Sequence, residues 1–321
     1  MRIVQVIDAV LPVRKYGGTE RVVQSLGRAL VEAGHEVTLL AREGTQSRSA
    51  QVIVHDRTKP LDQQLPEGVD VVHFHGEVGE TSIPHLVTQH GKLQGVPHPQ
   101  SVFVSRRHAS NHGSEHFVHN GLDWSLYPAA AFDQDRAHCH FLGKAAWRVK
   151  NVRGAIQVAG LAETRLVVLG GNRLGLKMGI RFHPERHVRF RGMVDDIGKA
   201  EVLARSRGLV FPVTWHEPFG LAVVESLYYG CPVFGTPYGA LPELVPPSLG
   251  VLSASPEALA EGVRNWQSFE AEACHAHARE QFGAWRMAQD YSALYERVAG
   301  GEILNPELPP GEDRFRELPW G

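Results

Sequence analysis

Two glutamates, Glu217 and Glu225, are separated by seven residues in the string HEPFGLAVVESLYYG. Pro218 and Gly220 mark the start of a helix predicted over 219–229, since a proline in the first helical turn loses no hydrogen bond. At such a start the amides of Phe219, Gly220 and Leu221 are donors at the positive end of the helix dipole. That end suits a diphosphate, or the hydroxyls of a sugar beside one. Gly220 has no Cβ, so a ligand can approach its backbone closely. Glu225 falls about 8–10 Å further along the helix. The two carboxylates would then serve opposite ends of an extended ligand, one accepting from sugar hydroxyls and the other holding a ribose diol. The plainer reading is one exposed glutamate and one on a helix face.

A second constellation is HFLGKAAWRVKNV, where a strand ending at Gly143 delivers Lys144, Arg148 and Lys150 ahead of a helix from Val152. Cations at a strand's carboxyl end can neutralise a diphosphate as it leaves; a solvated basic loop is the alternative. Gly17 and Gly18 precede the first helix without the G-x-G-x-x-G spacing of a dinucleotide site. They still admit a phosphate, and a tight turn explains them equally well. His73 and His75 share one face of a strand, and EHFVHN adds His116 and His119, but no third ligand stands at metal spacing. These histidines are expected along the sheet ends. His75 and His90, each before a glycine at a strand end, are the candidates for a ligand cleft. No Asp-x-Asp stands at a strand end, and Asp195–Asp196 is an adjacent pair in a turn.

The elements that must position these residues follow from periodicity. A strand at Arg2–Ile7, a Gly loop, a helix TERVVQSLGRALVEAGHE and a strand at Glu36–Leu40 open a βαβ unit. Thr19 is placed to cap that helix and Gly34 to close it. Further strands are predicted at Gln51–His55, Asp70–His75, Leu86–Gln89 and Ser101–Val104. Turn residues cluster around Gly121–Asp135, and the pattern then repeats. The second half has strands at His138–Leu142, Arg165–Leu169, Val188–Arg191, Gly208–Pro212 and Pro232–Gly235, and helices at Val152–Gly160, Lys199–Ser206 and Phe219–Tyr229. FGAWRMAQDYSALYERV is an amphipathic helix, followed by an irregular Pro/Gly-rich stretch. The expected architecture is α/β: two Rossmann-like, doubly wound domains facing each other across a cleft, with ligands beyond the carboxyl ends of the strands. The expected division is 1–130, 131–282, and 283–321 as a helix crossing back to the first domain plus a tail.

Composition narrows the function. Of 321 residues 43% are hydrophobic and 21% charged, ordinary for a globular chain and wrong for a disordered or fibrous one. Lys+Arg 33 against Asp+Glu 35 gives a net charge of −2, which argues against nucleic acid as a partner. The 3 cysteines, Cys139, Cys231 and Cys274, lie far apart with no C-x-x-C, so a reducing, cytoplasmic location is expected. The opening MRIVQVIDAVLP carries Asp8 inside a short apolar run and reads as a buried strand, not a secretory leader. Peripheral membrane contact stays open: Arg14, Lys15, Arg21, Arg106, Arg107 and His108 face either an anionic acceptor or lipid, or simply water.

The pieces YGGTERVVQSLGRALVEAGHEVTLL, DVVHFHG, TQHG, NGLD, GKAAWRVKN, RGMVDDIGKAEVLARSRGLVFP and the Glu-x7-Glu block together resemble the retaining glycosyltransferases of family 4, which have the GT-B architecture. The resemblance covers most of the chain to Val298; the stretch from Gly91 to Gly121 is shorter than usual. It implies transfer of a hexose-type sugar from a nucleotide-diphosphate donor to a hydroxyl of a glycan, lipid or small molecule, with no metal or other cofactor. By that resemblance Glu217 contacts the donor sugar and the amides of Phe219, Gly220 and Leu221 hold sugar and diphosphate. Glu225 binds the ribose, Lys144 and Lys150 stabilise the leaving diphosphate, Gly17 and Gly18 line the phosphates, and His90 lies near the reacting carbon. Lys144 stands where many relatives have Arg. Val194, Asp196 and Lys199 match the nucleobase region, most like that of GDP-mannose users. Two other classes share the layout: a nucleotide-sugar epimerase, and a binding protein without chemistry. A retaining glycosidase needs carboxyls about 5–5.5 Å apart, closer than Glu217 and Glu225 are expected to be.

Overall fold

Strands buried on both faces read as unbroken apolar runs, and such runs build parallel sheets. In a computed structural model, which describes residues 1–13, 17–91, 93, 95–175, 181–309 and 317–321, they build two. Arg14 and Lys15 lie outside the described residues. The first sheet contains β1 (Arg2–Val6), β2 (Glu36–Ala41), β3 (Gln51–Val54), β4 (Val71–Phe74), β5 (His85–Gln89) and β6 (Ser101–Phe103), in the order β3-β2-β1-β4-β5-β6. The second contains β7 (His138–Leu142), β8 (Arg165–Leu169), β11 (Val188–Phe190), β12 (Ser206–Phe211), β13 (Val233–Gly235) and β14 (Gly250–Leu252), in the order β11-β8-β7-β12-β13-β14. A short antiparallel pair, β9 (Leu174–Gly175) and β10 (Arg181–Phe182), lies between β8 and β11 in the chain. Every described pairing within the two large sheets is parallel.

The helices are α1 (Gly18–Glu32), α2 (Arg106–Ser110), α3 (Val152–Leu161), α4 (Asp196–Ala204), α5 (Leu221–Tyr228), α6 (Leu241–Leu244), α7 (Pro256–Arg264), α8 (Ala271–Gln281) and α9 (Ala284–Ala299). The described residues group into two compact units, Met1–Trp124 with Gln281–Glu312, and Ser125–Glu280 with Asp313–Gly321. In the first unit α9 packs on α1 and the sheet. Tyr291 and Tyr295 are fully buried, and their hydroxyls bond Thr88 Oγ1 at 2.6 Å and His73 Nδ1 at 2.7 Å. In the second unit Val158, Ala159, Leu166, Val210 and Phe234 form the core beneath α3 and α7. No helix among the described residues is long and apolar enough to cross a membrane.

Three helix starts differ from the expectations. Gly17, not Thr19, caps α1, at φ +153°. A Cβ there would sit 2.8 Å from Glu20 Oε2 and 2.9 Å from Val13 Cγ1, so glycine opens the helix before Thr19 is reached. Gly220 caps α5 at φ +104°, a left-handed residue that cannot continue a right-handed helix. Pro218 and Phe219 therefore precede the helix rather than occupying its first turn. The third helix, α4, begins at Asp196 because the Asp195 side chain accepts from Gly198 N, which places Lys199 inside the helix and not at its start. Gly34 takes φ +90° after α1, as predicted.

Candidate functional site

The order of the second sheet runs outward from β7 to β8 and β11, then switches to β12, β13 and β14. Beyond the carboxyl ends of β7 and β12 the outgoing loops diverge, the place where open α/β sheets take ligands. The loop after β7 carries Lys144 and Lys150, and the loop after β12 carries Glu217.

The structure joins these two loops through their charged residues. Lys150 Nζ donates to Glu217 Oε2 at 2.5 Å, with side chains only 13% and 9% exposed. Trp215 Nε1 donates to the same oxygen at 2.8 Å. The ammonium also lies 5.2 Å from the ring centres of Phe211 and Trp215, within cation–π range. An ion pair this secluded holds its geometry because neither charge can retreat into water.

Backbone contacts fix both ends. Asn151, at φ +52°, caps α3 by accepting from Gly154 N at 3.0 Å and donates Nδ2 to Pro212 O at 2.9 Å, tying the β7 loop to the end of β12. Thr214 N donates to Val149 O at 2.9 Å. From the other side the loop after β13 closes on Glu217: Ala240 N donates to Glu217 O at 2.9 Å. A Cβ on Gly239 would lie 2.2 Å from Glu217 N and 2.3 Å from Glu217 O. Lys144 is exposed, with Nζ 5.1 Å from the Trp147 ring centre. Its loop is held against Gly170, where a Cβ would meet Gly143 O at 2.3 Å.

Glu225 lies within α5, buried, and accepts from Lys199 Nζ at 2.5 Å and from Tyr127 OH at 3.0 Å through Oε1. Lys199 also pairs with Asp196 Oδ1 at 3.0 Å. Lys199 and Asp196, expected beside a nucleobase, thus form one cluster with the carboxylate expected at the ribose. Val194, half-buried, precedes this cluster in the β11–α4 loop. Pro218, Phe219 and Gly220 are buried between Glu217 and α5, with Leu221 half-buried at the helix start. Beneath them, His140 on β7 bonds Ser206 Oγ at 2.6 Å and Ser226 Oγ at 2.8 Å, linking β7, β12 and α5. Burial holds His140 well below the usual histidine range, so it is neutral.

Gly17, Gly18 and His90 belong to the first unit. Gly17 and Gly18 follow the β1 loop at the head of α1. His75 and His90 stand immediately past β4 and β5, with His75 Nδ1 and His90 Nε2 3.0 Å apart. Burial lowers His90 to about 4 and pushes His75 well below its ordinary value. His73 is held between Tyr295 and Thr88, a core role rather than a ligand's. Among the described residues no group of three or more His, Cys, Asp or Glu converges as a metal site.

Sequence reasoning missed Tyr127, Asn151, Trp215 and Gly239. Trp215 and Asn151 lie within two residues of Glu217 and Lys150, so proximity along the chain was an available signal. Tyr127 and Gly239 reach the site only through the fold.

Residues 136–268 match the family model described as Glycosyl transferases group 1. No curated protein sequence matches the chain. Solved structures do match it. AviGT4, a glycosyltransferase involved in avilamycin A biosynthesis, is 22% identical with a TM-score of 0.78, covering 94% of this chain and 98% of that one. Sucrose-phosphate synthase from Thermosynechococcus elongatus is 17% identical with a TM-score of 0.66, covering 94% and 100%. Anabaena HepE, solved in complex with UDP-glucose, is 17% identical with a TM-score of 0.63, covering 92% and 100%. The chain has the GT-B fold of these glycosyltransferases, two Rossmann-like domains, and its residues 136–268 carry the pattern of group 1 glycosyl transferases.

Proposed function

We propose that the protein is a retaining glycosyltransferase of the family 4, Glu-x7-Glu type, moving a hexose-type sugar from a nucleotide-diphosphate donor to a hydroxyl acceptor. The observation that carries this reading is the Lys150–Glu217 pair, seated at the switch point of the sheet within the segment matching group 1 glycosyl transferases. Glu217 Oε2 is taken by Lys150 and Trp215; we assign Oε1 to the hydroxyls of the donor sugar. An ammonium has three donors, so Lys150 can keep Glu217 and still meet a phosphate oxygen. Lys144 and the amides at the head of α5 complete the positive surface for the leaving diphosphate. With these charges in place the leaving group needs no divalent cation. The departing phosphate oxygen takes the proton of the acceptor hydroxyl as the new glycosidic bond forms on the face it vacates. Glu225, held by Lys199 and Tyr127, receives the ribose diol. His90, neutral, is assigned to the reacting carbon, and Gly17 and Gly18 to the phosphates.

HepE's complex with UDP-glucose supports a nucleotide-diphosphate donor. We assign the acceptor to the first domain and the protein to the reducing cytoplasm, in keeping with three buried free cysteines. The reading is tested by incubating the protein with UDP-, GDP- and ADP-sugars and a panel of hydroxyl acceptors in the presence of EDTA. Proton NMR should show a product of the donor's anomeric configuration, absent with Glu217→Ala. Sugar isomerisation with donor alone would favour an epimerase, and nucleotide binding without turnover a binding protein.

A further inference from the structure

The segment Glu317–Gly321 has no regular secondary structure, yet it touches each loop that carries or clamps the Lys150–Glu217 pair. Leu318 N donates to Thr214 O at 2.8 Å, and Thr214 N donates to Val149 O at 2.9 Å. Three strands of chain therefore lie side by side. Val149 immediately precedes Lys150, and Thr214 immediately precedes Trp215, which holds Glu217. Pro319 O accepts from Tyr238 OH at 2.8 Å, next to Gly239, where any Cβ would enter the space of the Glu217 backbone. Glu317 Oε2 meets Arg148 Nε at 3.1 Å; both are exposed, so this pair adds register more than energy.

Trp320 anchors the segment. Its ring packs on the core of the second unit, and a Cβ on Gly154 would lie 2.9 Å from Trp320 Cε2. Its Nε1 donates to Gln157 Oε1 at 3.2 Å, and Gly321 N donates to Ala254 O at 3.1 Å. Loops that leave a sheet are its least stable parts. Here an anchored strap crosses the loops after β7, β12 and β13 together.

We propose that Glu317–Gly321 sets the register of these loops, making Leu318 and Trp320 positioning residues for the donor site. The proposal rests on the functional reading given above. The test compares Trp320→Ala, Leu318→Pro and Tyr238→Phe, with Trp320→Phe as the conservative control. Leu318→Pro removes the N–H given to Thr214, and Tyr238→Phe removes one hydroxyl while keeping the ring. Each variant is titrated with UDP, GDP and ADP by calorimetry, and donor KM, kcat and melting temperature are measured. Misplacement by about 1 Å can cost as much as a hundredfold in rate. Trp320→Ala and Leu318→Pro should raise donor KM and weaken diphosphate binding by roughly tenfold or more. Tyr238→Phe should do so less, and Trp320→Phe should recover most of the loss. Wild-type binding and KM in both Trp320→Ala and Tyr238→Phe, or a lowered melting temperature alone, would overturn the strap. Should Lys150→Ala and Glu217→Ala also bind diphosphate normally, the site reading fails instead.

Discussion

Lys150 and Glu217 come from loops 67 residues apart in sequence, and their charged atoms meet at 2.5 Å between the ends of β7 and β12. The pair is nearly shielded from water, so each residue is structurally dependent on the other.

Removing one member should therefore cost stability as well as turnover. Lys150→Met leaves a buried carboxylate uncompensated and should destabilise the second domain by about 3 kcal/mol. Lys150→Met with Glu217→Gln should recover most of that loss without recovering transfer. Urea unfolding of the two single variants and the double variant, alongside donor turnover, measures both effects. Additive stability losses would show that the two side chains do not act as a pair.

Gly239→Ala should impair transfer although no side-chain contact is lost. The added Cβ would enter the space of the Glu217 backbone, at 2.2 Å from its nitrogen. The expected fall in kcat/KM is on the order of a hundredfold. Steady-state kinetics on the folded variant is the check.

The Glu225 cluster predicts a different kinetic signature. Glu225→Gln weakens binding of the ribose in ground and transition states alike, so donor KM should rise roughly tenfold with kcat little changed. Lys199→Met, which leaves Glu225 and Asp196 without their ammonium, should show the same trend with an added loss of melting temperature. A fall in kcat at constant KM would place Glu225 at the reacting centre.

Acid should destabilise the fold through its buried histidines. His73, His75, His90, His108 and His140 are all lowered by burial, His90 to about 4 and His108 to about 3. Neutral histidines in the native state bind fewer protons than the unfolded chain, so their contribution is complete above about pH 6.5 and declines as pH falls below it. Each such group adds up to about 1.4 kcal/mol per pH unit to the slope. Thermal unfolding between pH 7.5 and 5 should show a steadily falling midpoint. His140→Asn should reduce the slope, since an amide can replace the ring between Ser206 and Ser226 without titrating.

Much of this arrangement was legible in the residues. The β-strands of both sheets announce themselves as apolar runs, and Glu217, Lys144 and Lys150 stand in strings whose chemistry is visible before any fold. What remained hidden depends on tertiary closeness. That Lys150 and Glu217 are partners follows from the switch in strand order, which no local pattern encodes. Lys199 is a nucleobase-region residue by resemblance alone; its pairing with Glu225 is a tertiary fact that no local pattern shows, with the Asp195 cap setting Lys199 one turn into α4. The start of α5 was misplaced for a related reason: the left-handed backbone of Gly220 separates Pro218 from the helix. β14 is the exception among the strands: Gly250–Leu252 follows the turn residues of PPSL, and its pairing with β13 rather than any local apolar run makes it a strand.

The most direct measurement is a crystal structure of the protein soaked with a nucleotide-diphosphate sugar. The diphosphate should lie at the head of α5 with a phosphate oxygen about 2.7–3.0 Å from Lys150 Nζ, and Glu217 Oε1 should meet a sugar hydroxyl. A sugar nucleotide bound elsewhere, with Lys150 and Glu217 touching no part of it, would contradict the account.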